Sequence, residues 1–458
     1  MSQPKSMIRD YTSGPITRQL LVFAWPFMLS NLLQTAYNLV DMVVVGQFIG
    51  AAGLSAVGIG ADLLHLYTFL AMGFCNAGQV IISQYVGLGD RDSVSKIVGT
   101  MLTFVLGLSL VVTAIGLCGT DTWLRLLNVP AEAIGHCRAY TNCCTAGLFF
   151  IFGYTMISAI LRGMGDSKRP MMFIAIASVL NVVLDLILVS AGLGAFGAAL
   201  ATVLAQGVSF GVSVVYLWRR RHELGFDFTT RHLIPDRANL ALLIKMGVPM
   251  TIQSIAISVS ALFVSSRINV YGVTASAVTG VGAKLSMVAS IVTQALSLAS
   301  ATMVGQNFAA QKFDRVRKTL TDSILIGSLF AAVLSLAIVL WPEQIFSLFN
   351  RDPAVLAMSH AYVLIAVLNY FGWACRGPSI ALCNGMGFPL LNFILGLFDG
   401  VVMRIGLCVL LGDVLGLGIH GYWVGSAAAG FAFFLVMLPY FLSGKWKNHR
   451  PPTAAKTA

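Results

Sequence analysis

The sequence predicts an all-α polytopic membrane protein with twelve transmembrane helices in two six-helix lobes. Hydrophobic residues make up 57% of the 458 residues and charged residues only 10%, far below the charged share usual in soluble domains. Apolar runs recur from end to end, and many reach the ~20 residues that a helix needs to cross a bilayer. They are too long for the alternating strands of a membrane β-barrel.

Twelve apolar runs define the predicted spans. Residues 1–15 are polar and the next run is a full span, so we expect the first helix to stay in the membrane rather than act as a cleavable signal peptide. Several runs exceed the ~20 residues that a bilayer requires, which favours tilted helices. The predicted spans are 16–47, 52–82, 94–118, 135–160, 169–191, 195–218, 239–269, 275–304, 316–340, 355–383, 389–411 and 417–442.

Lysine and arginine are unevenly distributed between the loops. The N-terminus, the even-numbered loops and the tail carry nearly all of them, including three consecutive arginines at 219–221. The opposite loops contain only Arg125, Arg267 and Arg351. Because cytoplasmic loops are enriched in Lys and Arg, the chain is predicted to lie in the plasma (inner) membrane with both termini cytoplasmic. The same distribution accounts for the net charge of +11 without a nucleic-acid partner.

An internal repeat divides the chain in two. GAAGLSAVGIG at 50–60 resembles GVTASAVTGVG at 272–282, and the GMG turn at 163–165 recurs at 385–387, each at a shift of 222 residues. Six spans per repeat bring both halves into the membrane from the same side, which relates them by a pseudo-two-fold axis along the membrane normal, as in some secondary transporters. The predicted parts are an N-terminal lobe at 1–218, a cytoplasmic linker at 219–238, a C-terminal lobe at 239–442 and a cytoplasmic tail at 443–458.

A carboxylate inside the first span marks a candidate ion site. Asp41 lies within the hydrocarbon region, where an acid costs about 3 kcal/mol on insertion scales and is therefore rarely without function. Tyr37 and Asn38 precede Asp41 by four and three residues, so both can share its helix face.

Two further spans bring oxygen ligands to the same level. Asn181 and Asp185 lie four residues apart in the fifth span, and Thr202 lies in the sixth. At 1.5 Å per residue, Asp41, Asp185 and Thr202 lie roughly 13, 10 and 12 Å from the outer ends of their spans. Two carboxylates, an amide and a hydroxyl suit Na⁺, by analogy with oxygen-rich Ca²⁺ and Mg²⁺ sites. A proton carried by one of two neighbouring carboxylates is the alternative. A hydrogen-bond network that only holds the lobe together is a third interpretation.

The second lobe lacks these acids, so an ion site of this kind is predicted in the first lobe only. Arg404 is a candidate partner for Asp399. Their five-residue spacing is poor for one face of an α-helix, and a neighbouring helix is an equally good source of a partner. The local alignments pair Asp41, Asp185 and Thr202 with Val264, Arg404 and Ser426.

A cleft between the two halves is the natural path for the substrate, and the residues assigned to the substrate all belong to the first lobe. Methionine is an adaptable apolar side chain that suits varied ligands, although each Met taken singly is more typical of packing. Pro26, fifteen residues before Asp41, removes a backbone donor and permits a bend in the first helix. The residues assigned to the substrate are Met28, Asn31, Gln34, Asp41 and Met156.

No catalytic or nucleotide-binding arrangement is evident in the sequence. It contains no Walker or GxGxxG loop, so direct coupling to ATP is not expected. The eight cysteines lie in or beside the spans without CxxC spacing, which is typical of packing residues. We therefore expect neither an enzyme nor a cofactor.

These features resemble the multidrug and toxic compound extrusion transporters over nearly the whole chain. The motifs that carry the resemblance are FAWPFMLSNLLQTAYNLVDMVVVGQFIG, SAVGIG and RGMGDSKRP. The polar residues around Asp41 resemble the branch related to the DNA-damage-inducible F proteins, whereas the acids that another branch carries in spans seven and ten are missing. The resemblance implies a monomeric exporter in the lipid bilayer. It would exchange organic cations and amphiphilic compounds for H⁺ or Na⁺ by alternating access.

Two other functions are compatible with a membrane chain of this kind. A flippase for lipid-linked oligosaccharides from the same superfamily would be expected to use a strongly cationic cavity, whereas embedded cations are few here. An intramembrane enzyme would need a nucleophile–base or metal-ligand spacing that the cysteines and His65 do not supply. The embedded cations are Arg138, Lys284, Arg376 and Arg404.

Overall fold

The computed structural model describes residues 8–127, 129–224 and 233–454, and these fold into successive helices. The first part of the chain contains α1 (Ile16–Ile49), α2 (Ala51–Leu88), α3 (Arg91–Leu126), α4 (Ile134–Ala146), α5 (Leu148–Gly163), α6 (Lys168–Leu188), α7 (Gly194–Arg219) and α8 (Arg221–Leu224). The second part contains α9 (Arg237–Asn269), α10 (Val273–Ala309), α11 (Phe313–Leu340), α12 (Pro342–Ser347), α13 (Pro353–Met386), α14 (Pro389–Leu397), α15 (Leu407–Val409), α16 (Gly418–Ala429) and α17 (Ala432–Leu442). Short π-helical segments at Val189–Leu193, Phe398–Gly406 and Leu410–Val414 and a 3₁₀ turn at Lys445–Asn448 complete the helical elements.

The helices account for all twelve predicted spans. Among the described residues, ten helical segments are long and apolar enough to cross a membrane, and α4 with α5, bent by 48° at their junction, form an eleventh. One of the ten, Lys168–Arg219, consists of α6 and α7, which pack against each other on either side of a break at Gly192 (φ 87°). Counting that hairpin as two spans gives twelve, so the prediction of an all-α polytopic membrane protein is confirmed.

The described chain forms two compact units. The first contains Trp25–Gly247 with residues 8–10, and the second contains Tyr11–Ala24 and the chain from Val248 onward. Both boundaries fall inside long helices, α1 and α9, and each is followed within two residues by a proline, Pro26 or Pro249. Proline cannot donate the helical hydrogen bond to the preceding turn. Each helix is therefore weakened where it passes from one unit into the other.

The same close helix contact occurs in both units. A Cβ atom on Gly163 would lie 2.7 Å from the carbonyl oxygen of Gln79, and one on Gly385 would lie 2.9 Å from that of Ala301. Contacts this short need glycine, because a larger residue would force the two backbones apart. Both members of each pair are related by the 222-residue shift read from the sequence, so the repeat is present in the packing as well.

The start of α1 is held in the second unit by hydrogen bonds. The Tyr11 amide donates to Gln306 Oε1 at 2.9 Å, and Arg315 donates to the Tyr11 carbonyl at 2.8 Å. Further along, Thr17 Oγ1 donates to Asp322 Oδ2 at 2.6 Å. The part of α1 that carries Asp41 lies beyond the boundary, in the first unit.

Candidate functional site

Three helices of the first unit bring the predicted polar residues together. Asp185 on α6 is wholly buried, and Asp41 on α1 is only 6% exposed. The two carboxyl groups lie close enough to interact electrostatically. Asn181 Nδ2 donates to Thr202 Oγ1 at 3.2 Å, which joins α6 to α7 one turn from Asp185. The site therefore combines oxygen atoms from α1, α6 and α7.

A small pocket opens between these helices. It lies beside the hydrogen bond that joins α6 to α7 and is too narrow to admit a water-sized molecule. The short side chains of Ala177 and Ala205 form part of its wall. The residues that line it are Tyr37, Ala177, Asn181, Thr202, Ala205 and Gln206.

Several buried oxygens at this site have no hydrogen-bond partner among the described residues. They are Asp41 Oδ1, Asn181 Oδ1, both carboxylate oxygens of Asp185, and Gln206 Oε1. Buried polar atoms are normally paired, since an unpaired one keeps the full cost of leaving water. All of these atoms are acceptors. A cation or a proton would satisfy them, whereas another acceptor would not.

Tyr37 lies on one side of Asp41. The side chains of Gln34 and Gln206 lie near the Tyr37 hydroxyl, and Asp41 interacts with it electrostatically. Tyr140 on α4 is also close to both Tyr37 and Asp41. Sequence reasoning missed Gln206 and Tyr140. Gln206 had a detectable signal, because it lies one turn after Thr202 in an apolar helix.

The other predicted residues lie apart from the oxygen cluster. Asn38 is exposed, next to Tyr37 on the chain but on a different face of α1. Met28 and Asn31 are half-buried on the same helix. Met156 is wholly buried on α5. Of the predicted substrate residues other than Asp41, Gln34 lies near the cluster, beside Tyr37.

The chemistry of the oxygen set fits a small hard cation. Among the described residues no three His, Cys, Asp or Glu side chains lie together, so the ligands available are two carboxylates plus neutral amide and hydroxyl oxygens. Such a set suits Na⁺ or a proton better than a transition metal, which favours nitrogen and sulfur. The residues that would hold Na⁺ are Asp41, Asn181, Asp185 and Thr202.

The second unit holds a charge cluster in place of the acid pair. Asp399 is wholly buried and pairs with Arg376 of α13 through Oδ2 and with Arg404 through Oδ1, the latter at 3.8 Å. The Asp399–Arg404 pair is possible within one helix because Phe398–Gly406 is π-helical, and a five-residue spacing then returns to the same face. Asp399 therefore has both of the partners that the sequence left open: Arg404 in its own helix and Arg376 in a neighbouring helix.

A family model ties the two halves to one protein family. The MatE model matches residues 26–187 and again residues 249–410. The chain belongs to the MatE family. The double match repeats the division found in the sequence, with Pro26 and Pro249 at the start of each matched segment. It also brings all of the oxygen ligands except Thr202 into the first matched segment.

Relatives and solved structures agree with the MatE assignment. The probable multidrug resistance protein YoeA of Bacillus subtilis is 30% identical over 98% of both chains. A multidrug resistance MATE family transporter in an outward-facing conformation superimposes with a TM-score of 0.88 at 22% identity, covering 97% of this chain and 98% of that one. A MATE in a bent conformation gives 0.87 at 23% identity, covering 99% and 100%. The MatE fold thus extends over the whole chain.

Proposed function

We propose that this MatE protein exports organic cations and amphiphilic compounds in exchange for Na⁺ or H⁺. It would work by alternating access, as a monomer in the plasma membrane. The observation that carries the proposal is the set of buried, unpaired acceptor oxygens around Asp41 and Asp185. The names of similar proteins, which describe multidrug resistance, favour an exporter over a lipid-linked oligosaccharide flippase or an enzyme.

Coupling follows from competition for the two carboxylates. A cationic substrate is favoured while Asp41 and Asp185 are charged, because they supply its counter-charge. Na⁺ binding or protonation removes that charge and promotes substrate release. Substrate binding in turn promotes ion loss, since linkage between two ligands is reciprocal. An inward-moving ion must bind in the state that is open to the outside, and the short length of helix beyond Asp41 and Asp185 supports a site on that side.

The conformational change is assigned to α1. Pro26 interrupts the helical hydrogen bonds just after α1 enters the first unit, fifteen residues before Asp41. We infer that α1 bends near Pro26 as the ion site is occupied and so reshapes the wall of the first unit.

The distribution of positive charge predicts a cytoplasmic loop between the two repeats. A reporter fused near Gly225, which lies outside the described residues, is expected to be active only if it works in the cytoplasm. The measurement compares a cytoplasmic reporter with a reporter that folds only after export. Activity of the exported reporter at this position would contradict the proposed orientation.

Transport in proteoliposomes tests the proposed function. Vesicles loaded with radiolabelled tetraethylammonium are diluted into buffers that impose an inward Na⁺ gradient, an inward H⁺ gradient or an equal K⁺ gradient. We expect release of the label to be driven by Na⁺ or H⁺ and not by K⁺. Release at the same rate in all three buffers, or none above protein-free vesicles, would contradict ion-coupled export.

A further inference from the structure

The second unit contains a cavity at the repeat equivalent of the acid site. Val264 and Ser426, the counterparts of Asp41 and Thr202, both line it. Its volume is about 220 Å³, whereas the pocket in the first unit is too narrow to admit a water-sized molecule. The cavity therefore has room for a small organic molecule, which the first pocket does not. Its wall also includes Thr279, Tyr362, Asn369 and Trp423.

The cavity wall is aromatic with a few polar groups. The Tyr362 and Trp423 rings pack edge to face, with centroids 5.1 Å apart. Trp423 Nε1 donates to Thr279 Oγ1 at 3.0 Å, so its polar atom is already paired and its ring is left for apolar contact. Asn369 and Ser426 add an amide and a hydroxyl. Such a mixture of rings and a few polar groups is typical of sites for small organic ligands.

A net positive charge lies directly behind this wall. Arg404 Nη1 lies 3.4 Å from Ser426 Oγ, to which it donates. Arg404 and Arg376 share one carboxylate, Asp399, so the three charged side chains sum to one positive charge. The Nε atoms of both arginines are buried without a hydrogen-bond partner among the described residues. Asp399 Oδ1 also lacks a hydrogen-bond partner among the described residues, but it lies 3.8 Å from Arg404 Nη2, so the two unpaired Nε donors outnumber it.

We propose that this cavity binds a small aromatic carboxylate, with the ring against Tyr362 and Trp423 and the carboxylate directed past Ser426 to Arg404. An uncompensated charge in a membrane-spanning region is costly, and an anion would neutralise it. Guanidinium groups favour carboxylates through paired, charge-assisted hydrogen bonds. An organic cation would be repelled by the same charge.

This inference adds a ligand class to the proposed function but does not depend on transport. Ligands that carry a carboxylate would bind in the second unit, whereas the coupling ion would bind at Asp41 and Asp185 in the first. Binding to the purified full chain can therefore succeed even if ion-coupled export fails, and the reverse also holds.

The test is calorimetric titration of the purified chain in detergent with 2-naphthoate, its methyl ester and 2-naphthylmethylammonium. These probes share one ring system and differ in charge. We expect naphthoate to bind at least about tenfold more tightly than the ester or the amine, because a hydrogen bond to a charged group is worth that factor or more. Equal affinity for all three probes, or no naphthoate binding, would overturn the proposal.

Variants locate the charge that is responsible. Arg404→Gln leaves Asp399 paired with Arg376, so the fold is expected to survive, and naphthoate affinity should fall at least about tenfold. Arg404→Lys should keep part of the affinity. Arg351→Gln removes the same charge from an exposed position and should leave affinity unchanged. Unchanged naphthoate affinity in a folded Arg404→Gln variant would contradict the proposed carboxylate site. If that variant does not fold, the comparison of the three probes on the wild-type chain decides the question.

Anionic lipid is a second source of a negatively charged group. The naphthoate titration is therefore repeated in nanodiscs of phosphatidylcholine and of phosphatidylglycerol. We expect the same affinity in both, since a carboxylate inside the cavity does not meet the lipid headgroups. Loss of naphthoate binding in phosphatidylglycerol alone would assign the site to lipid headgroups and overturn the proposal for a small-molecule ligand.

Discussion

Replacing Asp41 or Asp185 by Asn is expected to abolish ion-driven efflux while the protein still folds. Asn matches Asp in size, and the Asp185 oxygens make no hydrogen bonds among the described residues that the substitution would break. Either substitution removes the negative charge of a carboxylate for which the ion and the cationic substrate compete. The measurement is Na⁺- or H⁺-driven tetraethylammonium release from proteoliposomes, with thermal unfolding of the same samples in detergent to establish that they are folded.

Ser426→Ala is the matched control for these variants. Ser426 is the repeat counterpart of Thr202, but the counterparts of Asp41 and Asp185 are Val264 and Arg404, so the acid pair is not repeated beside it. Its loss should change ion-driven release little. Normal release in both Asp variants would show that the coupling site lies elsewhere.

Replacing Asp399 by Asn is expected to give the largest loss of stability. Asp399 is wholly buried and is the shared carboxylate of Arg376 and Arg404. Without it, two like charges remain in the interior with no counter-ion. Breaking a buried pair in this way costs about 3–5 kcal/mol. Thermal unfolding in detergent should therefore show a strongly lowered midpoint.

Two variants provide the comparison for Asp399. Arg404→Gln keeps the Arg376–Asp399 pair and should lower the midpoint much less. Asp413→Asn breaks a partly exposed pair with Arg267 near the end of the same span, and should have a far smaller effect still. Equal midpoints for Asp399→Asn and Asp413→Asn would mean that the buried cluster does not stabilise the second unit.

Much of the fold follows from the sequence because a helix that crosses a bilayer needs an apolar run of about 20 residues, which is easy to recognise. Apolar runs gave the spans, and helix rise alone brought Asp41, Asp185 and Thr202 to one level. The Asn181–Thr202 hydrogen bond is the structural counterpart of that estimate. Three loosely spaced polar residues thus identified most of an oxygen cluster before any contact was known.

Other features depend on packing and had weak local signals. Tyr140 lies close to Asp41 on α4, a helix with several polar residues, none of which the sequence singles out as a neighbour of Asp41. The Asp399–Arg404 pair needed a π-helix, which spacing rules for α-helices do not anticipate. The unit boundaries inside α1 and α9 were also hidden, because the hydropathy of each helix is continuous through Pro26 and Pro249.

The proposed mechanism requires that ion and substrate exclude each other at Asp41 and Asp185. Its most direct test is the affinity for tetraethylammonium, measured in detergent over a series of pH and Na⁺ concentrations. We expect affinity to fall at least about tenfold as pH falls or Na⁺ rises, because either change removes the counter-charge of the substrate. The Asp41→Asn, Asp185→Asn double variant should bind weakly under all conditions. A tetraethylammonium affinity that does not change with pH or Na⁺ concentration, or that is unchanged in the double variant, would contradict the mechanism.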